Sequence, residues 1–347
     1  MYTIPPKKML TLNILDILRK HTNSEHRLTQ KQIVNLLESE HQMTVERKAV
    51  KRNLMNLIDF GYDIGYSETK RRTKDGTIEV IASDWYINRE FEDSELRLLI
   101  DSLLFSHQIP STQGTQLIDK LKGLSSRYFN TRVKHVLSLP EVTATNRQLF
   151  YTIDVLDEAI STARQVAFKY GSFDTSGVLL PRLDDNSNPR TYHIDPYQMV
   201  AANSRYYLIC RNAPHDTLAY YRIDRIINIE LLETPVKPIK DLPGFANGLD
   251  LPRHMAEHVY MFSGDSATVR FRINRAALMH VFDWFGNDVR FTNTTNDTVD
   301  VTVRVNQKAM LYWSLQFGEH VEVLDPPSLR AQLHAAAQKI ADKYRQI

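Results

Sequence analysis

The stretch from Asp195 to Ile226 constrains this chain most. It holds a proline-led strand, then SRYYLICRN at 204–212, then LAYYRIDRI at 218–226. The runs QVAFKYG, GVLLPRL and TYHIDPYQMVAA precede the tyrosine-rich part, and INIELLE follows it. Short β-rich runs with tight connections favour a small barrel over a doubly wound sheet. Side chains alternate along a strand, so Tyr206, Leu208 and Cys210 share one face and Tyr207, Ile209 and Arg211 the other. Arginine offers a rigid fork of donors and tyrosine a stacking surface, so this combination suits an anion.

With 347 residues the chain has room for two or three domains. We read four segments of an α+β multidomain protein: 1–90, 91–150, 151–235 and 236–347. The first predicts three helices and a hairpin. Leu10, Ile14, Ile17 and Leu18 fall at helical spacing, Thr29 opens a capping box before Ile33 and Leu37, and Thr44 stands where a third helix would be capped. That third helix has a core face of Val50, Leu54, Leu57 and Ile58, and Gly61 ends it. Asp75-Gly76 between β-rich runs signals a hairpin turn. The second segment predicts connecting helices without chemistry.

A recognition helix needs an apolar face for its core and polar or basic groups opposite it. The third helix offers Arg47, Lys48, Lys51 and Arg52, with Asn53 and Asn56 as base readers, and the hairpin adds Lys70, Arg71, Arg72 and Lys74. A solvated charged helix is the commoner fate of such a run. Two basic elements at winged-helix spacing favour duplex DNA. The net charge of +2 does not bear on this, since any basic surface must be local.

Hydrophobic residues make up 42% and charged residues 24%, ordinary for a globular protein. Cys210 is the only cysteine, so no intrachain disulfide forms, and its place in a strand marks it as buried rather than nucleophilic. No apolar run approaches the roughly 20 residues that span a bilayer, and the expected location is the cytoplasm.

SRYYLICRN followed by YYRIDRI resembles the signature of WYL-domain proteins, and the whole arrangement resembles a bacterial WYL-domain transcriptional regulator. The resemblance implies a winged helix-turn-helix, a helical connector, an Sm-like barrel and a C-terminal ferredoxin-like extension. Tyr206, Tyr207 and Leu208 take the name-giving positions, with tyrosine in place of the usual tryptophan. Tyr207 is the implied ligand-facing tyrosine, Arg222 matches the basic residue before the Asp-Arg-Ile element, and Ala219 replaces another frequent basic residue. Arg222 and Arg225 are read as ligand-facing with it, since an arginine on a sheet face is costly to leave unpaired. His193 and Arg211 are additional candidate contacts, whereas Tyr206, Tyr221 and Ile223 read as core. The expected partners are operator DNA, an anionic effector such as a nucleotide or short oligonucleotide, and a second copy of the chain. No cofactor is expected.

The last segment, after the linker at 236–252, alternates in the order βαββαβ plus a final helix, as in a ferredoxin-like sandwich. Its strands carry Arg270, Arg272, Arg290 and Arg304, read as a solvated face. His254-Met255-Ala256-Glu257-His258 matches the spacing of an inverted zinc-protease motif, which needs a helix and a third ligand. A zinc hydrolase is thus one alternative. A single-stranded nucleic-acid-binding accessory factor is another. Nothing else in the sequence points to an enzyme.

Overall fold

A computed structural model of the chain describes residues 7–72, 78–104, 109–129, 148–212 and 215–345. The chain divides into two compact units, Met1–Val142 and Thr143–Ile347. Among the described residues it is a mixed α/β protein with ten α-helices and three antiparallel sheets.

The first unit opens with α1 (Leu10–His21), α2 (Gln30–His41) and α3 (Arg47–Phe60), then the hairpin β1 (Ile64–Arg72) and β2 (Ile78–Ile87). Ile14, Leu18, Ile33, Leu37, Leu54 and Trp85 are buried together at its centre. Full burial of each aliphatic side chain contributes about 1.5–3 kcal/mol. The capping box forms as expected: the Thr29 hydroxyl accepts from the Gln32 amide, and the Gln32 side chain accepts from the Thr29 amide at 2.8 Å. The cap expected at Thr44 does not form. Val45 packs against the core and keeps the chain extended there, so α3 starts at Arg47 behind Glu46. Gly61, at φ 113°, ends the helix in the left-handed region open to glycine.

Two connector helices, α4 (Asp93–Leu104) and α5 (Ser111–Lys122), share a small core of Leu96, Ile100 and Phe129 with Ile118 and Leu121. Arg89 ties them to the three-helix part. Its guanidinium donates to the carbonyls of Arg19, Thr22 (3.1 Å) and Leu124 (2.9 Å). It thereby helps to cap the last turn of α1, where the Lys20 carbonyl accepts from the Arg127 amide and the Leu18 carbonyl from Thr22. The rings of His26 and Tyr128 stack at 3.7 Å beside it.

The second unit begins with α6 (Leu149–Ser161), followed by β3 (Arg164–Phe173), β4 (Leu179–Pro181), β5 (Thr191–Ala202), β6 (Arg205–Asn212), β7 (Leu218–Arg222) and β8 (Ile226–Pro235). The expected strands are present, but the expected barrel is not closed. The ladder runs β4-β3-β5-β6-β7, and β8 pairs with β3. β7 and β8 are joined by a single 3-10 turn, Ile223–Arg225, rather than by a ladder. β7 is only five residues long, and that turn carries the chain away to meet β3, where Tyr170 faces Ile226.

A linker leads to α7 (Leu251–Glu257) and then to β9 (Ser266–Asn274), α8 (Met279–Phe285), β10 (Arg290–Thr292), β11 (Thr298–Asn306), α9 (Gln307–Gln316), β12 (Val321–Asp325) and α10 (Pro327–Tyr344). These strands form one antiparallel sheet in the order β10-β11-β9-β12. Phe271, Val301, Val305, Phe285 and Trp313 are buried under its helices. No helix among the described residues is long and apolar enough to cross a membrane.

Candidate nucleic-acid and effector sites

On α3 the residues split by helical phase. Val50, Leu54 and Leu57 are buried, while Arg47, Lys48, Lys51, Arg52 and Asn56 are exposed. Asn53 departs from expectation. It lies three residues after Val50 and four before Leu57, which puts it on the inner arc. There it is 9% exposed, its amide donates to the Ala49 carbonyl at 2.8 Å, and its oxygen accepts from the Thr11 hydroxyl. Asn53 therefore locks α3 to α1 and is not a base reader. Lys70, Arg71 and Arg72 are exposed on β1, which packs against α3. Lys74 and the Asp75-Gly76 turn lie outside the described residues.

In the second unit the register of β6 and β7 sets Tyr207 opposite Arg222 and Ile209 opposite Tyr220. This face is partly covered: Tyr207 and Tyr220 pack with Ile209, Leu242 and Met261. Two of the three arginines expected to face a ligand are held by internal carboxylates. Arg222 makes a two-point pair with Asp224, Nε to Oδ1 at 3.0 Å and a terminal nitrogen to Oδ2 at 2.5 Å. Arg211 sits directly across from Asp195 and binds it at 2.6 Å, with Asp216 at 3.4 Å. Asp195 is 1% exposed and also accepts from Gln165. His193 stays exposed on β5. Tyr221 and Ile223 are core as expected, but Tyr206 is exposed, because the turn at Asn203 and Ser204 leaves it at the sheet's end. Cys210 is fully buried, and burial pushes its thiol up, out of the nucleophilic range.

A different face combines aromatic rings with cations. Phe168, Tyr170, Tyr192 and Tyr221 pack edge-on and stacked, with centroids 4.9–6.4 Å apart. Exposed Arg182 lies over Tyr170 at 5.1 Å and exposed Arg190 over Tyr192 at 4.9 Å. Arg225 lies over Phe173 at 5.8 Å, and its Nε is buried without a hydrogen-bond partner among the described residues. A guanidinium over a ring keeps its in-plane donors free for an anion; Tyr170 and Tyr192 are themselves buried, so Phe173 is the ring of this group open to stacking. Of the residues expected to bind a ligand, Arg225 joins this cluster. Arg182 and Arg190 were not anticipated.

The His254–His258 motif does form on a helix, yet its groups are otherwise engaged. His254 Nε2 lies 2.7 Å from the Tyr220 hydroxyl, and His258 Nδ1 lies 3.0 Å from the Phe262 carbonyl. The two imidazoles stack at 4.3 Å. Glu257, which a hydrolase would need as a free base, takes Arg253 and Arg304, each at 3.0 Å. Among the described residues no group of three His, Cys, Asp or Glu side chains is disposed to hold a metal.

Burial, and then the neighbouring His258, push the pKa of His254 down from 6.5 to about 4. The unfolded chain therefore binds more protons between those values. Stability from neutral His254 is whole above the unfolded pKa and is lost as the pH falls toward about 4. Acidifying from about pH 7 to about pH 4.5 is expected to lower the Tm of the native protein more than that of His254→Gln. Circular-dichroism melts at both pH values measure the difference.

Residues 151–231 match the WYL domain model and residues 265–341 match the WCX domain model. None of the curated proteins matches the chain. Among solved structures, proteasome accessory factor B/C of Arthrobacter aurescens is 16% identical, with a TM-score of 0.29 over 97% of this chain and 49% of that one. This chain thus spans about half its length. A CRISPR Cas-related protein is 14% identical, with a TM-score of 0.38 over 100% of this chain and 88% of that one. The two domain matches fall on the tyrosine-rich sheet and on the sheet that follows it, so the chain carries a WYL domain followed by a WCX domain.

Proposed function

We propose that the chain is a DNA-binding transcriptional regulator, with repression preferred over activation, that acts by binding and not by catalysis. In this reading α1–α3 and the β1–β2 hairpin are a winged helix-turn-helix. The WYL sheet is the sensor and the WCX domain a ferredoxin-like extension. The observation that carries it is the exposed arc of Arg47, Lys48, Lys51, Arg52 and Asn56 on α3, beside the cations of β1. Lysine and arginine on such an arc contact phosphate and fix register, leaving Asn56 to reach a base edge. A single winged helix covers one half-site, so the working form is a homodimer on a two-fold operator.

The effector reading rests on the rings of Tyr170, Tyr192 and Phe173 with Arg182, Arg190 and Arg225 above them. The exposed ring of Phe173 can stack a base while the guanidinium groups hold a phosphate, which fits a nucleotide or short oligonucleotide. An effector changes operator affinity only if it binds two states of the protein differently.

Selection of bound genomic fragments followed by gel shift tests the assignment, and preference for single strands over every duplex would replace it with an accessory single-strand binder. Arg225→Ala is expected to leave operator binding intact and to abolish its response to the effector. An unchanged response would remove this cluster from the sensor.

A further inference from the structure

We propose that the cleft on the polar face of the WCX sheet binds a phosphodiester, independently of whether the WYL sheet senses an effector. This face carries the four arginines of β9, β10 and β11, and the structure sorts them into two kinds. Arg272 is committed: it binds Asp300 at 2.8 Å, and that carboxylate is 1% exposed and accepts also from Asn293. Hydrogen bonds from Arg272 and then Asn293 hold Asp300 below the usual carboxylate range. The cleft itself, about 500 Å³, is lined by Arg290, Arg304 and, from α7, Arg253, with Thr268 and Thr302.

The register explains the convergence. Thr302 on β11 is flanked by Arg290 on β10 and Arg270 on β9, and Arg304 lies opposite Thr268. Glu257 fixes two of these groups in place, taking the Nε of Arg253 and the Nε of Arg304, each at 3.0 Å. Burial works against its charge, but hydrogen bonds from Ser266 and Arg253 keep its pKa below the usual range. Both guanidinium groups thus keep their terminal nitrogens for a ligand. Arg290 and the two threonine hydroxyls have no side-chain partner among the described residues.

Three guanidinium forks and two hydroxyls present more donors than the two oxygens of a carboxylate accept, and fork geometry matches phosphate. Against the three arginines stand Glu257 and Asp288, an excess of one positive charge. That excess matches a phosphodiester monoanion better than a polyphosphate. An attached nucleoside also has space. A second cleft, about 710 Å³, shares the Arg253–Glu257–Arg304 wall and is lined by Tyr220, Phe245 and Asp250. Its rings suit a base face, and Asp216, Asp250 and Asp265 on its wall are acceptors suited to sugar hydroxyls.

The phosphodiester has two possible sources, a nucleic-acid backbone or a cyclic dinucleotide. The test measures fluorescence-anisotropy binding of a labelled short single strand and of a labelled cyclic dinucleotide to the full chain. The background is Arg47→Ala with Lys51→Ala, so that α3 contributes little. Adding Arg290→Ala and Arg304→Ala is expected to weaken at least one probe by about tenfold or more, and to lower the salt slope of the single strand by about 1. Weakening of the strand alone identifies the backbone, and weakening of the dinucleotide alone identifies the small ligand. Arg290→Ala by itself removes no carboxylate's partner and repeats the test should the double change unfold the protein. The proposal is overturned if neither probe binds, or if both bind the folded variants as they bind the parent. Arg225→Ala, which reports on the WYL face, is expected to leave the Arg290 effect unchanged.

Discussion

Alanine at both Arg47 and Lys51 is expected to lower affinity for the selected operator by roughly a hundredfold. Each side chain is exposed on α3, one turn apart. A charge-assisted hydrogen bond to phosphate contributes about 1.5–3 kcal/mol, and about 1.4 kcal/mol is a tenfold change. Each lost phosphate contact also removes about 0.9 from the slope of log K against log salt, so the double change should flatten it by roughly 2. The loss should fall alike on operator and non-operator duplexes, because phosphate contacts carry no sequence information. Asn56→Ala should instead narrow the gap between them. Gel shifts across a salt series separate the two effects, and full operator binding by the double variant would remove α3 as the recognition helix.

Arg211→Ala is expected to destabilise the second unit by about 3–5 kcal/mol. Its Asp195 partner is almost wholly buried, and the change would leave that carboxylate with Gln165 as its side-chain donor among the described residues. Removing one member of a buried pair strands the other charge, which costs that much, whereas replacing both by apolar groups of similar volume is often close to neutral. Arg211→Met with Asp195→Leu should therefore recover much of the loss. Urea unfolding measures both variants as shifts in midpoint at constant m. Native stability in Arg211→Ala, together with a lost effector response, would return Arg211 to the ligand site.

Local pattern was a good guide to the elements and a poor one to the duties of single side chains. The capping box at Thr29, the stop at Gly61 and the strands of both C-terminal sheets were legible, because capping and alternation act over a few residues. Asn53 was legible too, had its spacing from Val50 and Leu57 been weighed above its polarity. Arg222 was expected to seek a ligand because an unpaired arginine on a sheet is costly, and Arg211 was an additional candidate contact. The carboxylates that answer this need come from a strand register and a 3-10 turn, neither of which the local pattern specified. Arg182 and Arg190 were passed over for the same reason: the rings beneath them belong to other strands. Closure of the barrel depended on whether a five-residue strand would meet β8, which side-chain alternation does not decide.

Arg89 bears on mechanics. The change from strand to helix near residue 90 looks like a pivot, yet one guanidinium grips carbonyls of α1 on one side and of the segment after α5 on the other. A torque applied at α5 is therefore carried to α1, and by packing to α3, with little slack. The connector is coupled to α1–α3 as a lever arm and not as a tether.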